Sequence, residues 1–446
     1  MLMYIGLIIS FVLLIFSVFK SIFIGYTLTV CWILFVVISF KKGYKLNKIM
    51  KMSYNGGKKS FIVLKVFILI GAVVGIWMAS GTIPAIVYYC LKYITPSIFV
   101  LGTFIICCMT SFLIGTSLGT VSVIGIPLMI LARSGNMNLN IVTGAIMAGA
   151  YFGDRCSPMS SSAALIANLT KTNIFVNIKN MFYSSIIPLL LSLIFYYILS
   201  VSYPLKIINN NLSSELFSIF NIKLIMLFPA VIILVLSLCK VKIEISILVS
   251  ILCASVLSIF IQNHQLKDIV YYIIFGFRIN YTSPLQNIIK GGGILSMLKA
   301  SFVIFVSCSI AGIFEEIKIF DKLKKLLLNM NLTRYKLFGM TTIVSIITAA
   351  FGCNQSIATV MTNEIMKDCY NKNDKYEFAL HLENSGILIA ALIPWNIAAL
   401  VPTTTMNVNA TGYVIYAFYL YMFPFIYFIY LRYFNKVTKL KLFTRI

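Results

Sequence analysis

Two acidic side chains, Asp154 and Glu383, stand in stretches apolar enough to lie within a membrane. The first sits in GAYFGDRCSPMSSS and the second in HLENSGILIAALIPWN. A carboxylate at membrane depth costs at least ~2.5–3.5 kcal/mol on insertion scales, so one that persists there points to function. The structural alternative for Asp154 is a loop at the membrane surface. The glycines, serines and proline around it favour a helix that unwinds, turning backbone and hydroxyl oxygens toward a small ion. Withdrawing a carboxylate from water favours its protonated form, and the same oxygens bind sodium once ionised, so one group can exchange the two. Hard cations take oxygen ligands. Ser157, Ser160, Ser161, Asn354, Asn384 and Ser385 can supply them, with Thr116, Ser117, Gln355, Trp395 and Asn396 as further lining.

Other polar residues carry competing readings. Arg155 either reaches the cytoplasm or lipid headgroups, or pairs with Asp154 and keeps it ionised. His381, two residues before Glu383, has the chemistry of a proton relay, but a lone histidine at a helix entrance is more often simply solvated. Trp395 is placed to stack on an organic substrate or to act as a packing or interfacial anchor. Glu364 reads as a helix-end residue, and His264 as a loop residue.

These residues need a membrane scaffold, and composition supplies one. Sixty per cent of the 446 residues are hydrophobic and 11% are charged. Many apolar runs reach the ~20 residues that span a bilayer. The chain therefore reads as an all-α, polytopic membrane protein. The net charge of +24 falls mainly between apolar runs, where the positive-inside rule and anionic lipid account for it; no basic-aromatic array for nucleic acid is present. Ten cysteines show no CxxC pair and no zinc spacing, so free thiols, no resident metal and no cofactor are expected. The N-terminus lacks a basic leader and cleavage site and reads as a retained first span.

Along the chain, spans are expected at 2–19, 22–40, 61–79, 181–202, 222–239, 245–262, 294–314 and 411–431. The lysine-dense loop 41–60 places itself and the N-terminus in the cytoplasm. Residues 315–337 read as an amphipathic stretch on that face, and Lys436, Lys439 and Lys441 form a basic tail. Residues 96–170 and 338–410 are apolar but repeatedly broken by Gly, Pro and polar residues. Roughly ten to twelve crossings of ~20 residues follow. Simple alternation does not return the tail to the cytoplasm unless one broken segment is re-entrant.

The two broken regions look like copies. SFLIGTSLGT leads through a helix to Asp154 and then Asn168; TAAFGCNQSIAT leads through a helix to Glu383 and then Asn396. Corresponding broken segments in two halves mark a transport site near the bilayer midplane. The expected organisation is a hairpin and basic loop at 1–60, a first transport half at 61–239 with its core at 96–170, connecting spans at 240–337, and a second core with the last span at 338–446.

From about Gly81 to Thr405 the sequence resembles the NhaC-type sodium/proton antiporter family of the ion-transporter superfamily, above all in GAYFGDxxSPxS and LIPWN. The resemblance implies a bacterial inner-membrane carrier with inverted halves and discontinuous helices. Asp154 matches the acid of the family's GDK, with Arg155 replacing its Lys. Ser157, Pro158 and Ser160 match SPxS, and Glu383 matches the acid opening EDSG. Ser161-Ser162 stand where the family has Asp-Thr, and Asn384 stands where it has Asp, so two of four expected carboxylates are neutral. The implied activity is exchange of sodium for protons; the alternative is a sodium- or proton-coupled carrier of an amino acid or organic acid. A membrane enzyme or scaffold is disfavoured, because no nucleophile–base pair, metal cluster or nucleotide loop is present. The expected partners are the transported ions, the lipid bilayer and a second copy of the chain in a homodimer.

Overall fold

The computed structural model of the chain describes residues 2–20, 22–93, 95–205, 212–279, 286, 289–317, 321–328, 330 and 333–433. The basic tail with Lys436, Lys439 and Lys441, and part of the 315–337 stretch, lie outside the described residues. Every regular element among those described is helical.

The first helices are α1 (Leu2–Phe19), α2 (Ile24–Lys41), α3 (Leu46–Lys59), α4 (Phe61–Ala79) and α5 (Thr82–Tyr93). The expected loop at 41–60 is thus mostly the helix α3. Its apolar and small residues Ile49, Met52, Gly56 and Gly57 are buried, while its lysines stay exposed. A strongly lysine-rich composition hid this narrow apolar stripe. The first broken region comprises α6 (Phe99–Ile114), α7 (Ser117–Thr120), a π-helical turn at Val121–Gly125, α8 (Ile126–Ser134), α9 (Leu139–Cys156) and α10 (Ser161–Thr170).

The long helices α11 (Ile174–Ser202), α14 (Ile243–Phe260) and α16 (Leu298–Ile317) follow, with the shorter α12 (Leu212–Ile219), α13 (Phe228–Leu238) and α15 (Leu266–Phe275) between them. A short helix, α17 (Asp321–Leu328), leads to the second broken region. That region holds α18 (Arg334–Gly352), α19 (Gln355–Met366), α20 (Lys375–Leu382), a π-helical turn at Glu383–Ile387, α21 (Leu388–Ala390) and α22 (Ile397–Thr405). The last span is α23 (Phe418–Tyr433).

Seven of these helical stretches are long and apolar enough to cross a membrane unbroken, or eight if the bent α3–α4 pair is one span. The protein is a multi-pass membrane protein. Whole spans are fewer than the crossings anticipated because polar breaks in the core leave half-helices of 9 to 12 residues.

The interior is unusually polar and the exterior unusually apolar. Asp154, Arg155, His381, Glu383 and Asn384 are buried, whereas Ile186, Leu190, Ile194 and Ile198 line an exposed face of α11. Lipid, unlike water, leaves such apolar side chains without penalty and gives polar ones nowhere to go but inward. Small residues make this interior possible. A Cβ on Gly149 of α9 would sit 2.6 Å from Cys107 Cβ and 2.7 Å from the Phe104 carbonyl of α6, and Gly153 is tighter still. Close backbone approach of this kind is how helices pack where no hydrophobic drive exists.

Gly149→Leu is expected to push α6 and α9 apart and lower stability by roughly 1–3 kcal/mol or more, the usual cost of overpacking. Thermal unfolding in detergent checks this, with Gly352→Ala as the control, since a Cβ there meets only ordinary contacts of 3.5 Å or more on helical backbone.

Candidate functional site

Each break in the core is a helix end followed at once by a new helix start, and the caps repeat. α6 ends on Gly115 in the left-handed conformation (φ 75°), and Thr116 (φ −141°, ψ 135°) then caps α7, accepting from Gly119 N at 3.1 Å. α18 ends on Cys353, also left-handed (φ 50°), and Asn354 (φ −140°, ψ 130°) then caps α19, accepting from Ser356 N at 2.8 Å. The later breaks are capped by Ser160 for α10 and Asn396 for α22. A side-chain oxygen at each start satisfies amides that a helix leaves unpaired.

The residue after each of the first two caps faces one carboxylate. Asp154, in the last turn of α9 and 4% exposed, accepts from Ser117 at 3.1 Å on Oδ2 and from Gln355 at 3.3 Å on the same oxygen. Ser162 donates to Oδ1 at 3.3 Å, and Ser160 lies 3.4 Å from Oδ1 while also bonding the Asp154 carbonyl. Gln355 and Ser162 are joined at 3.1 Å. Four donors from three separate starts, two in the first broken region and one in the second, therefore converge on Asp154. It lies in the buried core, not in a surface loop.

Glu383 is the counterpoint. It opens the π-helical turn after α20, is fully buried, and neither carboxylate oxygen has a hydrogen-bond partner; both polar atoms of the adjacent Asn384 are likewise unpartnered. α9, which carries Asp154 and Arg155 in its last turn, packs directly on this turn. Insertions of a wide π-helical turn are frequent at functional sites.

The remaining predicted residues have other duties. Ser157 donates to the Phe112 carbonyl at 2.6 Å and shapes the turn. Ser161 is exposed; its neighbour Ser162 makes the contact. Ser385 donates to the His381 carbonyl at 2.6 Å and lies 3.2 Å from Ser345. Trp395 anchors itself on the Ala350 carbonyl at 2.7 Å, and Asn396 on the Ala349 carbonyl at 2.8 Å. Asn168, the apparent partner of Asn396, is exposed within α10; Ser160 holds the equivalent capping place.

Two readings change. Arg155 neither leaves the core nor forms an ion pair with Asp154. It is fully buried, bonded to the Met181 carbonyl (2.7 Å), Ser184 (3.1 Å), Ser185 (2.9 Å) and Tyr419 (3.1 Å), over the Phe423 ring at 4.1 Å. His381 is not solvated: it is buried, 2.8 Å from the Tyr370 hydroxyl, and packed edge-on to Phe338. Sequence reasoning missed Ser162. Its place just inside a helix start was the available signal, since N-terminal side chains crowd whatever the start faces.

The arrangement is an oxygen-rich cage with one fixed cation beside it. Three hydroxyls and an amide that now donate to Asp154 have oxygens that can turn toward a small cation. No cluster that would hold a resident metal occurs among the described residues.

The sequence profile of the Na+/H+ antiporter family matches residues 1–164 and 149–436. Among curated relatives, the chain is 29% identical to a malate-2H+/Na+-lactate antiporter of Bacillus subtilis over 90% of this chain and 87% of that one. It is 28% identical to the Na+/H+ antiporter NhaC of the same organism, over 86% of each. It is 23% identical to the arginine/ornithine antiporter ArcD of Halobacterium salinarum, over 80% of this chain and 75% of that one.

Arg155→Lys is expected to lower stability by about 1–3 kcal/mol, because an ammonium cannot span the carbonyl, the serines and the tyrosine that the planar fork joins. Unfolding temperature in detergent is the measure; an unchanged value removes the structural role given to Arg155.

Proposed function

The chain belongs to the Na+/H+ antiporter family, and from that premise we propose that Asp154 and Glu383 are the groups through which it exchanges sodium ions for protons. It is a secondary transporter and performs no chemical step on its cargo. The observation that carries the site assignment is the convergence of Ser117, Ser160, Ser162 and Gln355 on Asp154. With Asp154 ionised, these groups can turn their oxygens to sodium, a ligand set that suits a hard cation.

Glu383 complements this. A buried carboxylate without a hydrogen bond is costly, and a proton or a cation relieves the cost. Two neighbouring acids that compete for the same two cargoes make exchange obligatory: sodium loading releases protons, and protons expel sodium. The matched backbone geometry at Gly115–Thr116 and Cys353–Asn354 supports a duplicated core of two halves. The lysines of α3 support a cytoplasmic N-terminus, and the family membership supports a bacterial inner membrane as the setting.

A second reading has one observation in its favour. Asn384 presents an unpartnered donor and acceptor beside Glu383, where a cation alone needs no donor. A carboxylate or amino-acid cargo would use both, and two relatives are named for such cargoes, malate and lactate in one and arginine and ornithine in the other.

In proteoliposomes with an internal pH dye, a sodium pulse is expected to drive proton flux that Asp154→Asn abolishes. Ser162→Ala and Gln355→Ala should each raise the half-saturating sodium concentration about tenfold, the worth of one hydrogen bond to a charged group. Ser157→Ala should leave it unchanged. Because protons and sodium compete, the half-saturating concentration should rise as pH falls. Uptake of labelled malate, lactate or arginine without sodium-driven proton flux would replace this reading with the second.

A further inference from the structure

Half-helices of the two broken regions lead away to two cavities. α10 begins beside Asp154 and α19 begins at Gln355. At their far ends Thr170, Asn363, Asp368, Tyr370 and Lys375 line a cavity of about 350 Å³. At 1.5 Å per residue the ten-residue α10 puts it ~15 Å from the acid. α22 starts at the Asn396 break, and Thr403 and Thr404 of its last turn, with Ser296, Lys299 and Asn409, line a cavity of about 280 Å³.

The two lie on opposite faces. Lys299 is in the first turn of α16, whose 20 residues extend ~30 Å. α17 follows shortly after the other end of α16, and its Lys324 pairs with Asp368 of the first cavity at 2.6 Å. Lys324, Lys367 and Lys375 mark that face as cytoplasmic.

The end of α22 that borders the second cavity is clasped. Arg133, in the last turn of α8, donates to the Met406 carbonyl and, at 3.1 Å, to the Asn407 carbonyl. These are the carbonyls at the end of α22, the negative pole of that helix, where a cation is favoured. Asn407 is itself left-handed (φ 53°). The contact joins α8 of the first broken region to α22 of the second.

Resting on the transport reading, we propose that Arg133 is a latch between the halves. It holds the end of α22 against α8 and shuts the Thr403–Thr404 cavity off from the buried acids. The Thr170–Asn363 cavity is the port that serves them from the lysine-rich face. Transport then requires Arg133 to release α22 once per cycle.

The test adds one cysteine at a time to a full-length background whose Cys90, Cys239, Cys253 and Cys369 are serine and whose six remaining thiols are buried, with labelling of that background subtracted. Vesicles of both orientations are treated with a membrane-impermeant maleimide. Thr170→Cys should label only from the cytoplasmic face and Thr404→Cys only from the other. Ala399→Cys, fully buried on α22, should label slowly from the outer face and at least tenfold faster when combined with Arg133→Gln. Labelling of both cavities from one face, or no acceleration by Arg133→Gln, overturns the proposal. Should Arg133→Gln not fold, Arg133→Cys with Asn407→Cys, bridged by a reducible bifunctional thiol reagent, should stop sodium-driven flux until reductant is added; full flux while bridged overturns the latch. Labelling is read without flux, so a wild-type protein with correct labelling but no sodium-driven proton flux defeats the transport reading and leaves the ports standing.

Discussion

A carboxylate in the middle of a helical membrane protein must find its hydrogen bonds inside the protein, and Asp154 does so by drawing three helix starts together. Ser117, Ser160, Ser162 and Gln355 all sit at or just inside an N-terminus whose first amides are already capped. The capping residue satisfies the backbone, which frees the side chain beside it to face the acid. The positive ends of the starts also favour a negative charge at that spot. The fold around the site follows from this demand: helices that ran unbroken would bring neither starts nor spare polar groups to the centre.

The two first breaks solve the same geometric problem with different residues. A left-handed residue, an extended cap and an immediate helix restart occur at Gly115–Thr116–Ser117 and again at Cys353–Asn354–Gln355. The glycine of FGCN is not the left-handed residue; the cysteine after it is. Local strain accepted at Cys353 keeps the two turns superimposable, and a serine hydroxyl and a glutamine amide arrive at the same oxygen of Asp154.

Charge is placed by packing more than by pairing. Arg155 is chained to α11 and α23 by carbonyl, hydroxyl and ring contacts, so it remains a fixed positive point at the end of α9, the helix that packs on the Glu383–Ile387 turn. His381 is held between Tyr370 and Phe338. Glu383 and Asn384 differ from both: every polar side-chain atom of these two residues is buried without a hydrogen-bond partner, while Asp154 has four.

Much of this was legible in the residues alone. Hydropathy is a summed property, so the membrane class and most spans followed from composition; a carboxylate in an apolar run is conspicuous, so Asp154 and Glu383 stood out. Glycine, serine and proline marked where helices break because those residues act on their own backbone. Folding decided the rest, since a hydroxyl's partner depends on which way the chain leaves a break. Ser162 and not Ser161 meets Asp154, Ser157 turns to a carbonyl, Ser160 and not Asn168 matches Asn396, and a lysine-rich loop becomes a helix because a few apolar residues find α16. Sequence position sets what a side chain can donate; only the packed direction of each helix start sets to whom.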